Sequence, residues 1–399
     1  MHLPDGEPVP ADGALPAGAA PGDAGFGVYV HVPFCASRCG YCDFNTYTPA
    51  ELGGAVAAES YVDTVLAELA LARRVLADTP PRRVDTIFFG GGTPTLLPPA
   101  DLARVVSGIA DTWNLAPDVE VTTEANPESV DASSLRALRA AGFTRVSLGM
   151  QSVAPHVLAL LDRRHTPGRA ASAAEEARAA GFAHVNLDLI YGTPGESADD
   201  FAESLSAAVS AGVDHVSAYA LIVEDGTRLA ARVRRGELPH PDDDVAADRY
   251  LAAASYLEGA GLDWYEVSNW GTPCRHNLLY WTGGDWWGLG PGAHSHVGGV
   301  RWWNVKHPAT YGARLASGSS PAAAREALTP TDRYVEHVML RLRLAEGIRL
   351  STLDSYGQAA AGDAVERGLL SRAAYEGGRA VLTLPGRLMA DAVIRDLLP

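Results

Sequence analysis

The feature that most limits how this chain can fold is an alternation of short β-rich runs with longer, Ala-rich amphipathic stretches. Each amphipathic stretch is long enough to return the chain across a sheet, so successive strands should lie parallel. Gly142, Gly181 and Gly212 follow three of these stretches, where helices commonly end. The predicted strands are 27–32, 84–89, 119–124, 145–150, 184–190 and 215–222, and the predicted helices are 59–76, 99–112, 132–141, 167–180 and 198–211.

The number of repeats indicates the architecture. Six βα units are fewer than the eight that close a (β/α)8 barrel, so the pattern favours an α/β fold with a partial (β/α)6 barrel. Ligands bind at the carboxyl ends of the strands in such folds. In this sequence those ends carry a cysteine loop, a glycine run and several polar residues, which we expect to converge on one cavity.

The pattern changes along the chain and predicts four regions. Residues 1–26, rich in Pro, Gly and Ala, predict a flexible leader, and residues 27–240 predict the partial barrel. Residues 241–330 predict one helix and one short strand in a connecting region rich in Trp, His and Gly. Residues 331–399 predict a small, mostly helical domain of winged-helix type, with a hairpin around 380–386.

Composition limits the classes of partner. The net charge is −16 (32 basic against 48 acidic residues), and Lys306 is the single lysine, so the chain is poorly suited to binding nucleic-acid backbones. No run of 18 apolar residues occurs, and the first residues lack the pattern of a signal peptide, so we expect no membrane span. Three of the four cysteines cluster within eight positions, which indicates a metal or cluster in a reducing compartment, and we expect a cytoplasmic protein.

That cysteine cluster is Cys35, Cys39 and Cys42, which read C-x3-C-x2-C. Three thiolates on one short loop can hold three irons of a 4Fe-4S cluster and leave the fourth iron open to an exchangeable ligand. A zinc site is the alternative, because His31 or Cys274 could complete it.

The glycine run at 90–94, GGGTP, is compatible either with a turn or with close approach of the backbone to a ligand.

The stretches HVPFCASRCGYCDF and FFGGGTPTLL resemble the radical SAM superfamily, in which the three cysteines hold a 4Fe-4S cluster and S-adenosylmethionine binds the open iron. Together with EANPE, SLGMQS and DLIYGTPGE, they resemble the oxygen-independent coproporphyrinogen III oxidase family within it. This resemblance extends from about Tyr29 into the C-terminal region. It implies one 4Fe-4S cluster with S-adenosylmethionine as its exchangeable ligand.

The resemblance also implies two groups of site residues. Tyr29, Gly91, Glu124 and the backbone at His294 would contact the cluster-bound S-adenosylmethionine. The place where the oxidases hold a second S-adenosylmethionine would be lined by Tyr41, Gly92, Thr93, Gln151, Arg163, Asp188 and Ala220. By residue type alone, Glu124 and Asp188 are also compatible with buried carboxylates held by backbone amides.

Two departures and one motif indicate a branch within this family. Phe44 stands where the oxidases have a further cysteine, and only 28 residues precede Tyr29, where the oxidases have a longer extension. The HNxxYW motif at 276–281 resembles the signature of a sister branch, the radical SAM heme chaperones. A histidine beside Trp and Tyr offers an axial ligand and flat apolar walls for a porphyrin. His276 is therefore the predicted heme ligand, with His294, His296, His307 and Cys274 as alternatives, although such a histidine is also compatible with ordinary packing.

The expected function is that of a heme chaperone, which binds heme, a 4Fe-4S cluster and S-adenosylmethionine. It would transfer heme to an acceptor protein, and membrane-associated acceptors are among the candidates. The alternative is oxidative decarboxylation of coproporphyrinogen III. Modification of RNA is disfavoured by the acidic charge, and a structural zinc protein would be colourless and free of iron.

Overall fold

The computed structural model describes residues 6–19, 22, 24–52, 58–80, 82–163 and 165–398. Within this part of the chain, the strands form one 12-stranded sheet and one two-stranded sheet. The strands of the large sheet are β1 (Phe26–Val32), β2 (Arg83–Gly91), β3 (Asn114–Ala125), β4 (Arg145–Gln151), β5 (His184–Tyr191), β6 (His215–Ala220), β7 (Trp264–Glu266), β8 (Asn269–Gly271), β9 (Asp285–Leu289), β10 (His294–Val297), β11 (Val300–Asn304) and β12 (Ala322–Ala327). The small sheet consists of β13 (Ile348–Arg349) and β14 (Arg379–Ala380).

Six parallel strands form the centre of the large sheet. The order across it is β12-β11-β10-β9-β1-β2-β3-β4-β5-β6-β8-β7. Strands β1 to β6 lie side by side in chain order, and each pairs in parallel with the next. The prediction of an α/β fold built on six consecutive parallel strands is therefore confirmed.

Helices connect the strands and pack against the sheet. They are α1 (Pro49–Leu52), α2 (Ala58–Val75), α3 (Pro99–Thr112), α4 (Ala132–Ala140), α5 (Pro155–Leu160), α6 (Arg169–Ala179), α7 (Ala198–Ser210), α8 (Arg228–Arg234), α9 (Asp243–Gly259), α10 (Arg275–Trp281), α11 (Pro308–Ala316), α12 (Pro330–Arg341), α13 (Ser355–Glu366), α14 (Arg372–Glu376), α15 (Leu384–Leu388) and α16 (Ala390–Leu397). Gly142, Gly181 and Gly212 follow α4, α6 and α7 with φ values of 97°, 90° and 68°, as expected for glycines that end helices. None of the described helices has the length and apolar character needed to cross a bilayer.

The side-chain alternation of β1 separates the core of the sheet from its functional face. Val28, Val30 and Val32 are fully buried in the main apolar core. Because successive side chains of a strand point to opposite faces, Tyr29 and His31 lie on the other face. That face carries the cavities described below.

Residues 241–330 widen the sheet at both edges, which the sequence did not predict. Strand β9 pairs in parallel with β1 and places Gly288 opposite Tyr29. Strands β10, β11 and β12 continue this edge in antiparallel pairs. Strands β8 and β7 extend the other edge beyond β6.

The C-terminal region has an apolar core of its own, formed by buried residues between Val338 and Leu397. The mostly helical character predicted for it is observed, but the hairpin predicted around 380–386 is wrong. Ala380 pairs instead with Ile348 of β13, and Thr383 caps α15 by accepting a hydrogen bond from the Gly386 amide. Thr at the cap and Pro385 in the first turn favour a helix start over a turn between strands.

The predicted leader is described only in part, since residues 1–5, 20, 21 and 23 lie outside the described residues. Within the described part, the backbone of Glu7 exchanges two hydrogen bonds with Arg325 of β12, at 2.7 and 2.9 Å. Val9 and Leu15 pack, partly buried, against the main core. This part of the segment therefore contacts one edge of the large sheet.

A buried carboxylate joins α2 to the widened edge of the sheet. Glu68 accepts hydrogen bonds from the Gly290 amide at 2.8 Å, the Asn304 side-chain amide at 2.7 Å and the Tyr311 hydroxyl. Burial raises the pKa of Glu68 from 4.5 to about 7, against the opposing effect of these hydrogen bonds. Glu68 therefore fixes the turn between β9 and β10.

Because the folded state raises this pKa, the folded chain binds the proton more tightly than the unfolded chain does. Protonated Glu68 therefore stabilises the folded state, and this stabilisation is complete below about pH 4.5. As the pH rises through 7, the free energy of unfolding falls by about 3 kcal/mol for a pKa shift of this size. Glu68→Gln should remove this part of the pH dependence, since an amide does not ionise. Urea unfolding between pH 4.5 and 8 checks the expectation, with Glu203→Gln on the exposed face of α7 as the control. Equal pH profiles for the two variants would contradict it.

Candidate active site

The three cysteines lie on a loop that leaves the carboxyl end of β1 and folds back on itself. The Cys35 amide donates to the Tyr47 carbonyl at 3.0 Å, and the Tyr47 amide donates to the Pro33 carbonyl at 2.7 Å. All three thiols are partly buried. Burial raises the pKa of Cys35 to about 11, and the neighbouring thiols of Cys42 and Cys39 raise it further. The loop therefore holds three sulfur atoms close enough to influence one another.

The glycine run at the end of β2 allows this loop to approach closely. The Thr93 amide donates to the Phe34 carbonyl at 2.7 Å, and a Cβ atom on Gly92 would lie 2.3 Å from that same oxygen. Gly91 has a φ of 108°, a conformation that side-chain-bearing residues rarely adopt. The sequence predicted a turn or an approach to a ligand, and the structure shows an approach to the cysteine loop.

A cavity of about 560 Å³ opens beside the cysteines, within the size range of small-molecule sites. It lies at the carboxyl ends of the parallel strands, as the fold predicts. All three cysteines line it, together with nine of the residues singled out in the sequence: Tyr41, Gly91, Gly92, Thr93, Glu124, Gln151, Arg163, Asp188 and Ala220. Tyr29, His276 and His294 lie outside it.

Two partly buried carboxylates line this cavity. Burial and the charge of Asp188 raise the pKa of Glu124 to about 7, although its side chain accepts a hydrogen bond from the Gly91 amide at 3.1 Å. Burial also raises the pKa of Asp188, which accepts hydrogen bonds from Ser147 and Asn186. Among the described residues neither carboxylate forms an ion pair, although the charge of Arg163 opposes the rise in the pKa of Asp188, so the two carboxylates favour a ligand that carries positive charge.

Arg163 joins the cavity wall to the cysteine loop. Its guanidinium donates to Cys39 Sγ at 3.3 Å and to the Gly149 carbonyl at 3.1 Å. A Cβ atom on Gly149 would lie 2.6 Å from Arg163 Nη2, so a side chain there would displace the guanidinium. Gln151 follows with a φ of 67°, which is uncommon for a residue with a side chain and is often found at functional sites.

The mouth of this cavity is apolar although its interior is polar. Phe44 and Ile222, both among its lining residues, are 61% and 64% exposed. Leu96 lies at the same rim and is 42% exposed. Phe44, which distinguishes this chain from the oxidase pattern, is therefore a surface residue at the entrance.

A second, smaller chamber of about 150 Å³ adjoins the first. Glu124, Ser147, Asp188 and Tyr219 line both spaces, so these residues form the partition between them. Tyr29 faces this chamber rather than the cysteines. The family resemblance implied that Tyr29 contacts the cluster-bound S-adenosylmethionine, whereas Tyr29 lines the chamber that the cysteines do not line.

His276, the predicted heme ligand, also lines the smaller chamber and is 1% exposed. Its Nδ1 lies 2.8 Å from the Thr86 hydroxyl, and its Nε2 lies 2.8 Å from the Tyr280 hydroxyl. Burial lowers the pKa of His276 to about 3. Both ring nitrogens are thus engaged, and ligation of a porphyrin iron by His276 would require these contacts to break and the chamber to open.

A buried ion pair that the sequence analysis missed supports the segment around His276. Arg145, 1% exposed, donates to Glu120 Oε2 at 3.2 Å and to the carbonyls of Thr272 and Pro273 at 3.0 and 2.9 Å. Glu120 Oε1 in turn accepts from the amides of Arg275 and His276 at the start of α10. The available signal was an arginine at the start of a predicted strand, to which the sequence analysis assigned no role.

The residues of the larger cavity fit the group that the sequence implies. Three thiols line it, together with two carboxylates suited to the positive charges of S-adenosylmethionine. Across the described residues, no three His, Cys, Asp or Glu side chains form a group that could hold a single metal ion.

Comparison with known proteins places the chain in a family. The model of the radical SAM superfamily matches residues 29–208. The chain is 57% identical over 394 residues to the heme chaperone HemW of Mycobacterium tuberculosis (strain CDC 1551 / Oshkosh), which covers 98% of each chain. It is 31% identical to the heme chaperone HemW of Bacillus subtilis (strain 168), covering 93% of this chain and 98% of the relative.

Among solved structures, the fold is similar to that of the coproporphyrinogen III oxidase HemN of Escherichia coli, a radical SAM enzyme. The TM-score is 0.79 at 22% identity, with 94% of this chain and 90% of the other covered. That likeness concerns the fold, whereas the identity to the HemW proteins extends over nearly the whole sequence. The chain therefore belongs to the HemW family of heme chaperones, within the radical SAM superfamily.

Proposed function

We propose that this chain binds heme for transfer to an acceptor protein and holds a 4Fe-4S cluster and S-adenosylmethionine in the larger cavity. The observation that carries the cofactor assignment is the convergence of three thiols with Glu124 and Asp188 around one space of about 560 Å³. The heme assignment is supported by the similarity to proteins named heme chaperones.

Each part of the cavity wall has a role in this proposal. Cys35, Cys39 and Cys42 would hold three irons of the cluster, which when reduced supplies the electron that cleaves S-adenosylmethionine. Glu124 and Asp188 would pair with the positive charges of S-adenosylmethionine. Arg163 is a fixed cation beside Cys39 and stabilises negative charge on that sulfur. The remaining lining residues, Tyr41, Gly91, Gly92, Thr93, Gln151 and Ala220, would shape the site around the ligand.

A charge-removing substitution tests the assignment of S-adenosylmethionine. Glu124→Gln should weaken its binding about tenfold or more, because a buried charge-assisted contact contributes roughly 1.5–3 kcal/mol. Glu128→Gln is the matched control, since Glu128 lines the same cavity but is exposed. Equilibrium binding of S-adenosylmethionine to the cluster-loaded chain checks the expectation. Equal affinities for the two variants would contradict the role of Glu124.

Titration with heme, with and without the cluster, tests the proposed function itself. We expect saturable heme binding by both forms and transfer of heme from the cluster-loaded form to an apo-hemoprotein. Anaerobic incubation with coproporphyrinogen III, S-adenosylmethionine and a reductant provides the second arm. Catalytic formation of the vinyl product together with 5′-deoxyadenosine would replace the chaperone proposal with the oxidase alternative, and failure to bind heme would remove the proposal.

A further inference from the structure

We infer that His294 is the axial ligand of the heme iron, on an aromatic face formed by β9, β10 and β11. This inference rests on the proposed heme binding and adds where the heme sits and which side chain holds it. The aromatic face comprises Trp286, His294, His296 and Trp303.

Strand register brings these four rings to one side of the sheet. His294 is paired directly with Trp303, and His296 is paired with Trp286. Directly paired residues of neighbouring strands point to the same face. Trp286 precedes by two residues the Gly288 that is paired with Tyr29, so the aromatic face lies on the same side of the sheet as Tyr29.

His294 is exposed, and its surroundings suit a planar ligand. Its ring stacks on Trp303 with centroids 6.0 Å apart and an angle of 28° between the planes. The Trp286 indole donates to the His294 carbonyl at 2.9 Å and fixes the backbone at this position. An exposed imidazole that stacks on one indole, with its backbone carbonyl held by a second, combines a metal ligand with an apolar contact.

Each of the other candidate histidines has at least one ring nitrogen engaged. His276 is buried with both nitrogens engaged. His296 Nδ1 lies 3.0 Å from the Gly284 carbonyl, and His307 Nδ1 accepts from the Ala309 amide. Among the described residues, neither ring nitrogen of His294 has a hydrogen-bond partner. Partial burial lowers the pKa of His294, and Lys306 and Arg301 lower it further, so the ring is neutral at pH 7 and can donate a lone pair to iron.

Charge beside this face suits the carboxylates of heme. Lys306 lies near enough to lower the pKa of His294, and within the described chain it forms no ion pair with a carboxylate. Arg301, in contrast, is already engaged by Glu326 and Glu336. Lys306 therefore places a positive charge without an acidic partner beside the exposed imidazole. We therefore assign Lys306 to a heme propionate.

The experiment compares single variants of the full-length, cluster-loaded chain during anaerobic titration with hemin. His294→Ala should weaken heme binding by about tenfold or more and change the heme absorption and electron paramagnetic resonance spectra. His276→Ala, His296→Ala, His307→Ala and His240→Ala should retain the spectrum of the unmodified chain. His240 is the matched control, because it is exposed and, among the described residues, its ring forms a hydrogen bond only with the adjacent Pro241 carbonyl.

Two further variants separate ligation from a general loss of structure. His294→Met should still bind heme but with the spectrum of a methionine-ligated iron, which a purely structural role would not produce. Lys306→Gln should weaken binding severalfold and leave the spectrum unchanged. An unaltered heme spectrum in His294→Ala, or loss of the axial signal in folded His276→Ala alone, would overturn the inference. Either of these two results would leave the proposed function intact. If the unmodified chain binds no heme, both the inference and the proposed function fail.

Discussion

Cys39→Ala is expected to abolish the iron–sulfur cluster. Only three protein sulfurs are available in the loop, and loss of one leaves two irons without a protein ligand instead of one. Iron and acid-labile sulfide should fall from roughly four of each per chain to near zero. The spectral response to S-adenosylmethionine should disappear with them, while heme binding should be retained.

Cys274→Ala provides the matched control for this experiment. Cys274 is also a free thiol, but it is buried outside the loop, with Sγ 3.5 Å from Glu120 Oε1. Its replacement should leave iron, sulfide and the response to S-adenosylmethionine unchanged. Iron retained in Cys39→Ala, or lost in Cys274→Ala, would move the cluster away from the three-cysteine loop.

Arg145→Met is expected to produce the largest loss of stability, about 3–5 kcal/mol, which is typical when one partner of a buried ion pair is removed. The substitution leaves Glu120 charged and 5% exposed, without its cation. It also leaves the carbonyls of Thr272 and Pro273 without the donors they have in the native chain. Urea unfolding at pH 7 measures the loss.

An exposed ion pair serves as the comparison. Arg275 lies 3.2 Å from Asp118, and both side chains are largely open to solvent. Arg275→Met should therefore change stability far less than Arg145→Met. In the double variant Arg145→Met/Glu120→Leu, part of the loss should be recovered because no buried charge is left, but the amides at the start of α10 still lose their acceptor. Similar losses of stability for Arg145→Met and Arg275→Met would show that the buried ion pair stabilises the chain no more than the exposed pair does.

Most of the central fold could be predicted because it is encoded locally. The observed bounds of α3, Pro99–Thr112, are those predicted, and β1, β2, β4 and β5 differ from prediction by at most two residues at either end. These elements depend on apolar spacing and on capping residues that are close together in sequence. The same holds for the cysteine loop and the glycine run, which line one cavity because parallel strands end at the same edge of a sheet.

The predictions that needed revision concern contacts between distant segments. Strand β9 pairs with β1 although more than 250 positions separate them, and no local pattern in 241–330 indicates this partner. The hairpin predicted around 380–386 failed for a related reason, because β14 pairs with β13 and not with the residues that follow it. The sequence also could not show that Glu120, Arg145 and the start of α10 form one buried network.

The sequence by itself determined the alternation of strands and helices, the six parallel strands and the cysteine trio at the end of the first of them. Only the tertiary structure decided that His276 is enclosed while His294 is exposed on an aromatic face. The physical reason is that periodicity and motif spacing act over a few residues, whereas burial and the availability of a ring nitrogen depend on which distant strands and helices pack around it. The HNxxYW motif places His276 beside aromatic residues in the sequence. In the folded chain, both of its ring nitrogens lie within hydrogen-bond distance of a hydroxyl group, one of Thr86 and one of Tyr280.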